Sequence, residues 1–267
     1  RRSSDLTLSS HYASDINLDP DIFARIKAVY DQKEELDLTP EQETLLNETY
    51  ESFVRGGALL NDDDKEKLRE INEQLSLLGP DFMNNVNKSS EQFELWVDDE
   101  DDLAGLPDSA RAGAKHAAEE EGQPDKWLFT LDIPSYLSLV QYAEKRDLRE
   151  KIWRGFSSRA WGDDYDNSDN ILKIIRLRHE RAQLLGYDTH ADFVLERRMA
   201  ESREAVEHFL IKLRDAYKQA ALHDLQALKT LAGEMDGLSD FKPWDVAYYG
   251  EKLKEKSFSF SSEDVRP

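Results

Sequence analysis

A mainly α-helical protein, built as a multi-helix antiparallel lobe with one small two-stranded β-ribbon, is predicted by three features of this 267-residue sequence. Apolar residues recur at helical spacing along most of the chain, capping residues stand in front of these runs, and only 92–97, which alternates, and the run 127–131 read as strands. The expected organisation is a polar tail or loop over 1–19 and an N-terminal helical subdomain carrying the ribbon over 20–133. A long-helix subdomain follows over 134–267.

Asp19-Pro20 is an N-cap and first-turn pair in front of Phe23, Ile26, Val29 and Tyr30. Thr39 and Gln42 form a capping box, opening a helix that carries Leu45, Leu46, Tyr50, Phe53 and Val54 and that Gly56-Gly57 ends. Asn61 and the acids Asp62, Asp63 and Asp64 suit the positive end of a third helix, whose Leu68, Ile71, Leu75 and Leu78 form a seam. Pro80 is expected to kink or end it.

Between the strand-like runs, an acid- and Ala-rich segment holds a predicted helix from about Pro107 to Glu121. A ribbon this small needs helices packed on it. Further helices are expected at about Ser135–Arg146, Leu148–Ala160, Asn167 or Ser168 to Gly186, and from Thr189 to Met199. Ser202 starts the longest pattern, about 35 residues and about 50 Å. Gly233, Gly237 and Pro243 break it, and a last helix runs from about Trp244 to Glu255.

The balance of 35 Lys+Arg against 56 Asp+Glu, net charge −21, repels phosphate backbones and anionic lipid, so neither nucleic acid nor membrane is an expected partner. With no cysteine, disulfides, thiol nucleophiles and Cys-based zinc sites are excluded. No apolar run approaches a membrane span. The first residue is Arg1 rather than Met, which reads as a processed or excised piece.

The six histidines test for a zinc-peptidase helix, where two His at i and i+4 bind the metal and a Glu activates water. Asp15, Glu120, Gln183, Val194, Lys212 and Ala227 stand four residues after His11, His116, His179, His190, His208 and His223, so the motif is absent. His179-Glu180 copies only its first half. Asp163, Asp164, Asp166 and Asp169 make an acidic loop without the glycine and terminal Glu of an EF-hand, which reads as a solvated connection rather than a calcium site. Arg176, Arg178, Arg181, Arg197 and Arg198 admit an anion-lining role, but helical ion pairs are the commoner use amid this much acid.

Three stretches carry a resemblance: Phe53–Leu60; Ile175–Tyr187 continuing through His190-Ala191-Asp192 to Met199-Ala200; and Pro243–Tyr249, ending near Val265-Arg266-Pro267. In order and spacing they resemble the thimet oligopeptidase family of zinc metallopeptidases, most closely its bacterial peptidyl-dipeptidase and oligopeptidase A branch. The likeness runs from about Phe23 to the C-terminus. Family members carry the zinc helix, a third Glu ligand and a transition-state-stabilising Tyr beyond the segment equivalent to Trp244–Tyr249. The resemblance therefore carries no catalytic, cofactor-binding or metal residue onto this chain.

What it implies is the N-terminal, non-catalytic helical lobe of a zinc-dependent peptidase that hydrolyses short peptides, forming one wall of the substrate channel. Zinc and short peptide substrates belong to the intact parent; none is expected in this chain, which is predicted inactive alone. The face left by the missing half is expected to self-associate. The cytoplasm is the expected compartment, with the periplasm as the alternative. The rival reading is an autonomous helical adaptor that binds peptide or protein partners.

Overall fold

A computed structural model describes residues 2–258, which form eleven α-helices and one two-stranded antiparallel sheet. The fold is mainly α with a small ribbon, as the spacing predicts. The chain packs as two compact units, Arg1–Met83 with Ser168–His208, and Asn84–Asn167 with Phe209–Pro267. The subdomain boundary expected at 133/134 falls inside the second unit, because a single core runs across it from Leu95 to Ile152.

In the first unit, α1 (Arg2–Asn17) replaces the expected polar tail or loop of residues 1–19. Composition hid it because only its end is apolar enough to pack: Ile16 lies against Phe23, Phe53 and Ala58, Ser14 is buried and the following Leu18 is buried, while Leu8 and Tyr12 are exposed. Tertiary docking of one turn overrides a poor local pattern.

The α2 helix (Pro20–Tyr30) starts where Asp19 accepts from the N–H groups of Asp21 and Ile22 at 2.8 and 2.9 Å. The predicted capping box opens α3 (Pro40–Arg55): Gln42 N–H donates to Thr39 Oγ1 at 3.3 Å and Thr39 N–H to Gln42 Oε1 at 2.9 Å. Between the two helices Phe23 stacks on Tyr50 and Phe53, and Tyr30 on Tyr50 with centroids 3.8 Å apart. Gly57 follows α3 at φ +98°, where a Cβ would come within 2.5 Å of Leu68.

The α4 helix (Asp62–Glu91) runs through Pro80 for 30 residues, so of the two expected outcomes, a kink or an end, Pro80 does not end the helix. A proline excludes helical backbone from its predecessor largely through that residue's Cβ, and the predecessor here is Gly79, which has none. The remaining cost is a missing hydrogen bond and the crowding of the ring against the carbonyl four residues earlier. Completing this unit are α8 (Ser168–Leu184) and α9 (His190–Leu195), the latter capped by Thr189.

In the second unit, β1 (Leu95–Val97) pairs antiparallel with β2 (Trp127–Phe129) in the register Leu95↔Phe129 and Val97↔Trp127. The expected ribbon of 92–97 with 127–131 is present and shorter. The α5 helix (Asp108–Glu120), α6 (Ile133–Tyr142) and α7 (Arg146–Ser157) bury its inner face with Leu103, Leu106, Leu139, Val140, Leu148 and Ile152. Gly105, at φ +83°, lets the chain pass the Tyr142 carbonyl, which an added Cβ would approach to 2.3 Å.

The longest pattern becomes α10 (Arg203–Asp236), 34 residues in which Gly233 is internal and Gly237 ends the helix. Its last turns pack Leu228, Leu231 and Ala232 against Tyr248 and Tyr249 of α11 (Val246–Phe258). Val265, Arg266 and Pro267, which close the third stretch of the resemblance, lie outside the described residues.

Candidate functional site

Each of the three stretches that carry the resemblance supplies side chains to an arginine-centred packing node. In the first unit Arg55, the last residue of α3, reaches the segment around α9. Its guanidinium donates to the Phe193 carbonyl at 2.7 Å and to Tyr187 Oη at 3.0 Å, pairs with Glu196, and lies 4.5 Å from the Phe193 ring centroid. Tyr187 Oη in turn donates to Glu196 at 2.7 Å. Arg197 extends the clasp by pairing with Glu48 and Glu51 of α3. Stretches more than 130 positions apart in sequence thus meet through one cation.

The second node belongs to the turn that opens α11. Asp245, fully buried, accepts from Arg146 Nε at 2.9 Å and Nη2 at 2.7 Å, from Arg149 Nη2 at 3.2 Å, and from the Lys242 N–H at 2.8 Å. Burial pushes its carboxyl up, but the bonds from Arg146, the Lys242 N–H and Arg149 outweigh this and hold it below the usual carboxylate range. Arg149 is 2% exposed; it also donates to the carbonyls of Ala143 and Glu144 and stands 4.1 Å from the Tyr248 ring centroid. Trp153 and Trp244 pack beside this pair, and Tyr249 donates to Asp236 at 2.6 Å.

Of the arginines singled out in the sequence, Arg197 makes the ion pairs expected of it. Arg181 faces Phe193 at 5.6 Å and donates to Asn72 at 3.4 Å, with its Nε buried and unbonded. Burial first, and then Arg178 nearby, push the Arg181 guanidinium down; burial, Arg181 and Arg178 push His190 down in the same way. His190 Nδ1 is buried without a hydrogen-bond partner. This corner is locally cationic in a chain of net charge −21.

The donor sets for metals are not assembled. Among the described residues no group of three or more His, Cys, Asp or Glu is placed to hold an ion. His116 lies 3.6 Å from Glu120 on the same exposed face of α5, and His11 lies 3.1 Å from Glu73. In the acidic loop, Asp163 accepts from Ser89 Oγ at 2.5 Å and from the Tyr165 N–H at 2.9 Å, and Asp166 accepts from the Gly162 N–H. Those carboxylates tie the loop to its own backbone and to Ser89 of α4. The zinc that the resemblance implies therefore does not fit the residues described, and no step is assigned to them through a metal.

The concavities lead to the same reading. One groove of about 570 Å³ between α10 and α11 is lined by His223, Ala227, Leu231 and Leu253, and its charged members Glu234 and Lys256 pair with each other at 3.3 Å. Another, of about 450 Å³, is the outer face of the Arg55 clasp.

Sequence reasoning missed both nodes as nodes. Arg146 and Arg149 read as ordinary charges on a helix, and nothing local announces a partner 96 to 99 residues away. The single hint was Asp245 flanked by Trp244 and Tyr248, a charge inside an aromatic stretch.

Comparison with known proteins places these features. Residues 139–267 match the model of Peptidase family M3. The chain is 34% identical over 267 residues to oligopeptidase A of Salmonella typhimurium and to that of Escherichia coli, covering 98% of this chain and 39% of each relative. It is 29% identical over 256 residues to the dipeptidyl carboxypeptidase of Escherichia coli, covering 96% of this chain and 38% of that protein. The chain thus spans about 39% of the length of the oligopeptidase A relatives it matches. No helix among the described residues is long and apolar enough to cross a membrane. This chain is therefore similar along nearly its whole length to oligopeptidase A and to dipeptidyl carboxypeptidase, and over residues 139–267 to the model of Peptidase family M3.

Proposed function

We propose that this chain is the non-catalytic helical lobe of a zinc-dependent peptidase that hydrolyses short peptides, and that it forms one wall of the substrate channel. The observation that carries the reading is a mismatch of coverage. A relative named oligopeptidase A aligns with 98% of this chain, yet the alignment takes up 39% of that relative. The sequence contains no H-E-x-x-H, and the described histidines are dispersed. Zinc would supply Lewis-acid polarisation and an activated water from another part of the polypeptide.

This chain's own residues would then act as architecture. Arg55 and Asp245 lock helices whose rigid faces limit access to short, unstructured peptides. Cytoplasmic residence is part of the same proposal, supported by the relative named probable cytosolic oligopeptidase A in Arabidopsis thaliana, 34% identical over 257 residues.

The test is cleavage of an internally quenched peptide of about ten residues together with metal analysis. The 267-residue chain alone should release no fluorescence and hold less than 0.1 zinc per chain at roughly micromolar zinc, while a longer polypeptide carrying it should do both. Hydrolysis by the chain alone would refute the assignment.

A further inference from the structure

The outer edge of β2 offers one open rung. In an antiparallel pair, alternate residues turn their peptide groups toward the partner strand and away from it. Thr130 N–H donates to Ser135 Oγ at 3.0 Å and Lys126 N–H to the Gln123 carbonyl at 3.1 Å, so neither turns to β1. Leu128 stands two residues from each and faces the same way. Leu95↔Phe129 and Val97↔Trp127 are then the bonded pairs, and the N–H and C=O of Leu128, opposite Trp96, point away from β1. They meet no hydrogen-bond partner among the described residues, although Leu128 is 6% exposed and buried peptide groups are nearly always paired. Beside this edge lies a cavity of about 410 Å³ between β2, α5 and the start of α6. Ala110, Gly113 and Ala117 form its α5 wall, and a Cβ built on Gly113 would meet no atom within 4 Å. Asp132, the one charged residue on the wall, accepts from Thr130 Oγ1 at 3.0 Å.

We infer that this edge binds a short extended peptide, which adds to β2 as a third strand by exchanging two backbone hydrogen bonds with Leu128 and setting an uncharged side chain against α5. Three observations select that ligand. A donor and an acceptor on one residue, both in strand register, match the backbone of one extended residue, whereas an anion would leave the carbonyl unpaired and a cation the N–H. The outward N–H groups of the neighbouring rungs, at Lys126 and Thr130, are already bonded, so a longer strand gains no further donor and a short peptide uses the edge fully. The α5 wall is made of small, neutral residues, which leave room for a side chain and offer nothing to a charged one. The inference goes beyond the proposed function and does not rest on it, since the ladder and the cavity would bind peptide in a peptidase lobe and in an adaptor alike.

Backbone-amide NMR of the 267-residue chain, titrated with acetyl-Ala-Val-Ala-amide, tests this. The Leu128 amide proton should move downfield and saturate with a Kd of about 1 mM, as befits two hydrogen bonds and a small buried area. The same peptide N-methylated at all three residues keeps the side chains but loses the donors, and should bind about tenfold more weakly. Gly113→Leu should abolish the Leu128 shift by filling the cavity, and should hold or raise the melting temperature, because its Cβ meets no neighbour and leucine is the better helix former. An unmoved Leu128 amide, equal binding of the N-methylated peptide, or undiminished binding by Gly113→Leu would overturn the inference. So would a Leu128 shift that grows with protein concentration alone, which would assign the edge to a second copy. Protection of the Leu128 amide in a longer polypeptide without added peptide would also overturn it, by assigning the edge to the rest of that polypeptide.

Discussion

Replacing Asp245 by Asn probes the most heavily bonded charge in the described structure. The carboxylate is fully buried and accepts from four donors, three of them on Arg146 and Arg149. Asparagine keeps the shape but offers one oxygen, and turns an NH₂ toward a guanidinium. Arg149, 2% exposed, then keeps its bonds to the Ala143 and Glu144 carbonyls and its place by Tyr248, but no counter-charge. Removing one partner of a buried pair costs about 3–5 kcal/mol. For a chain of this size that lowers the melting temperature by roughly 6–20 °C. Arg146 is 32% exposed, so water recovers part of its loss and the lower half of the range is expected. The sign with pH follows from the depressed carboxyl. Its stabilising effect is complete above the unfolded value of 3.8 and is lost as pH falls through the lower folded value, so the variant should show a shallower acid limb. Urea unfolding followed by circular dichroism between pH 3 and pH 8 reads both effects. A loss under about 1 kcal/mol at pH 7 would mean that the triad is held by packing rather than charge.

Four further outcomes are expected. Arg55→Met should cost about 2 kcal/mol, since it removes charge-assisted bonds to Phe193, Tyr187 and Glu196, and should speed amide exchange in α9 before any other helix. Gly105→Ala should lower stability by about 2–4 kcal/mol, because both its φ of +83° and the Tyr142 carbonyl at 2.3 Å oppose a Cβ; unchanged unfolding would disprove that close approach. The His190 imidazole, pushed down by burial and by Arg181 and Arg178, should contribute stability above pH 6.5 that is lost as pH falls toward its folded value, and His190→Phe should flatten this dependence. Gly79→Ala should set a Cβ against the Pro80 ring inside α4 and lower stability, read by urea unfolding; unchanged unfolding would show that the missing Cβ is not what lets the helix run through Pro80.

How much of this was legible depended on the range of the interaction. The Asp19 and Thr39 caps and the alternation over 92–97 are local chemistry, and each stands where the sequence predicts it. That the helix continues past Pro80 follows from the residue before it, Gly79, which has no Cβ and which a rule about Pro alone leaves out. Helix α1 was missed because its stabilising contacts, through Ile16 and Leu18, come from elsewhere in the chain. Arg55, Arg146 and Arg149 were invisible as partners because their acceptors lie 90 or more residues away.

The resemblance was nevertheless readable, and all three stretches that carry it supply side chains to the two nodes. Arg55 joins the Phe53–Leu60 stretch to the one containing Tyr187 and Phe193, and Asp245 joins the Pro243–Tyr249 stretch to α7. A planar guanidinium that bonds a carbonyl, a phenol and a carboxylate while stacking on a ring restricts every residue it touches, in kind and in position. Such constraints are as exacting as those of a catalytic site, and they are scattered along the chain in the same way. On the proposed reading, these stretches act by locking the helices together, and the chemistry belongs to residues that the lock holds in place.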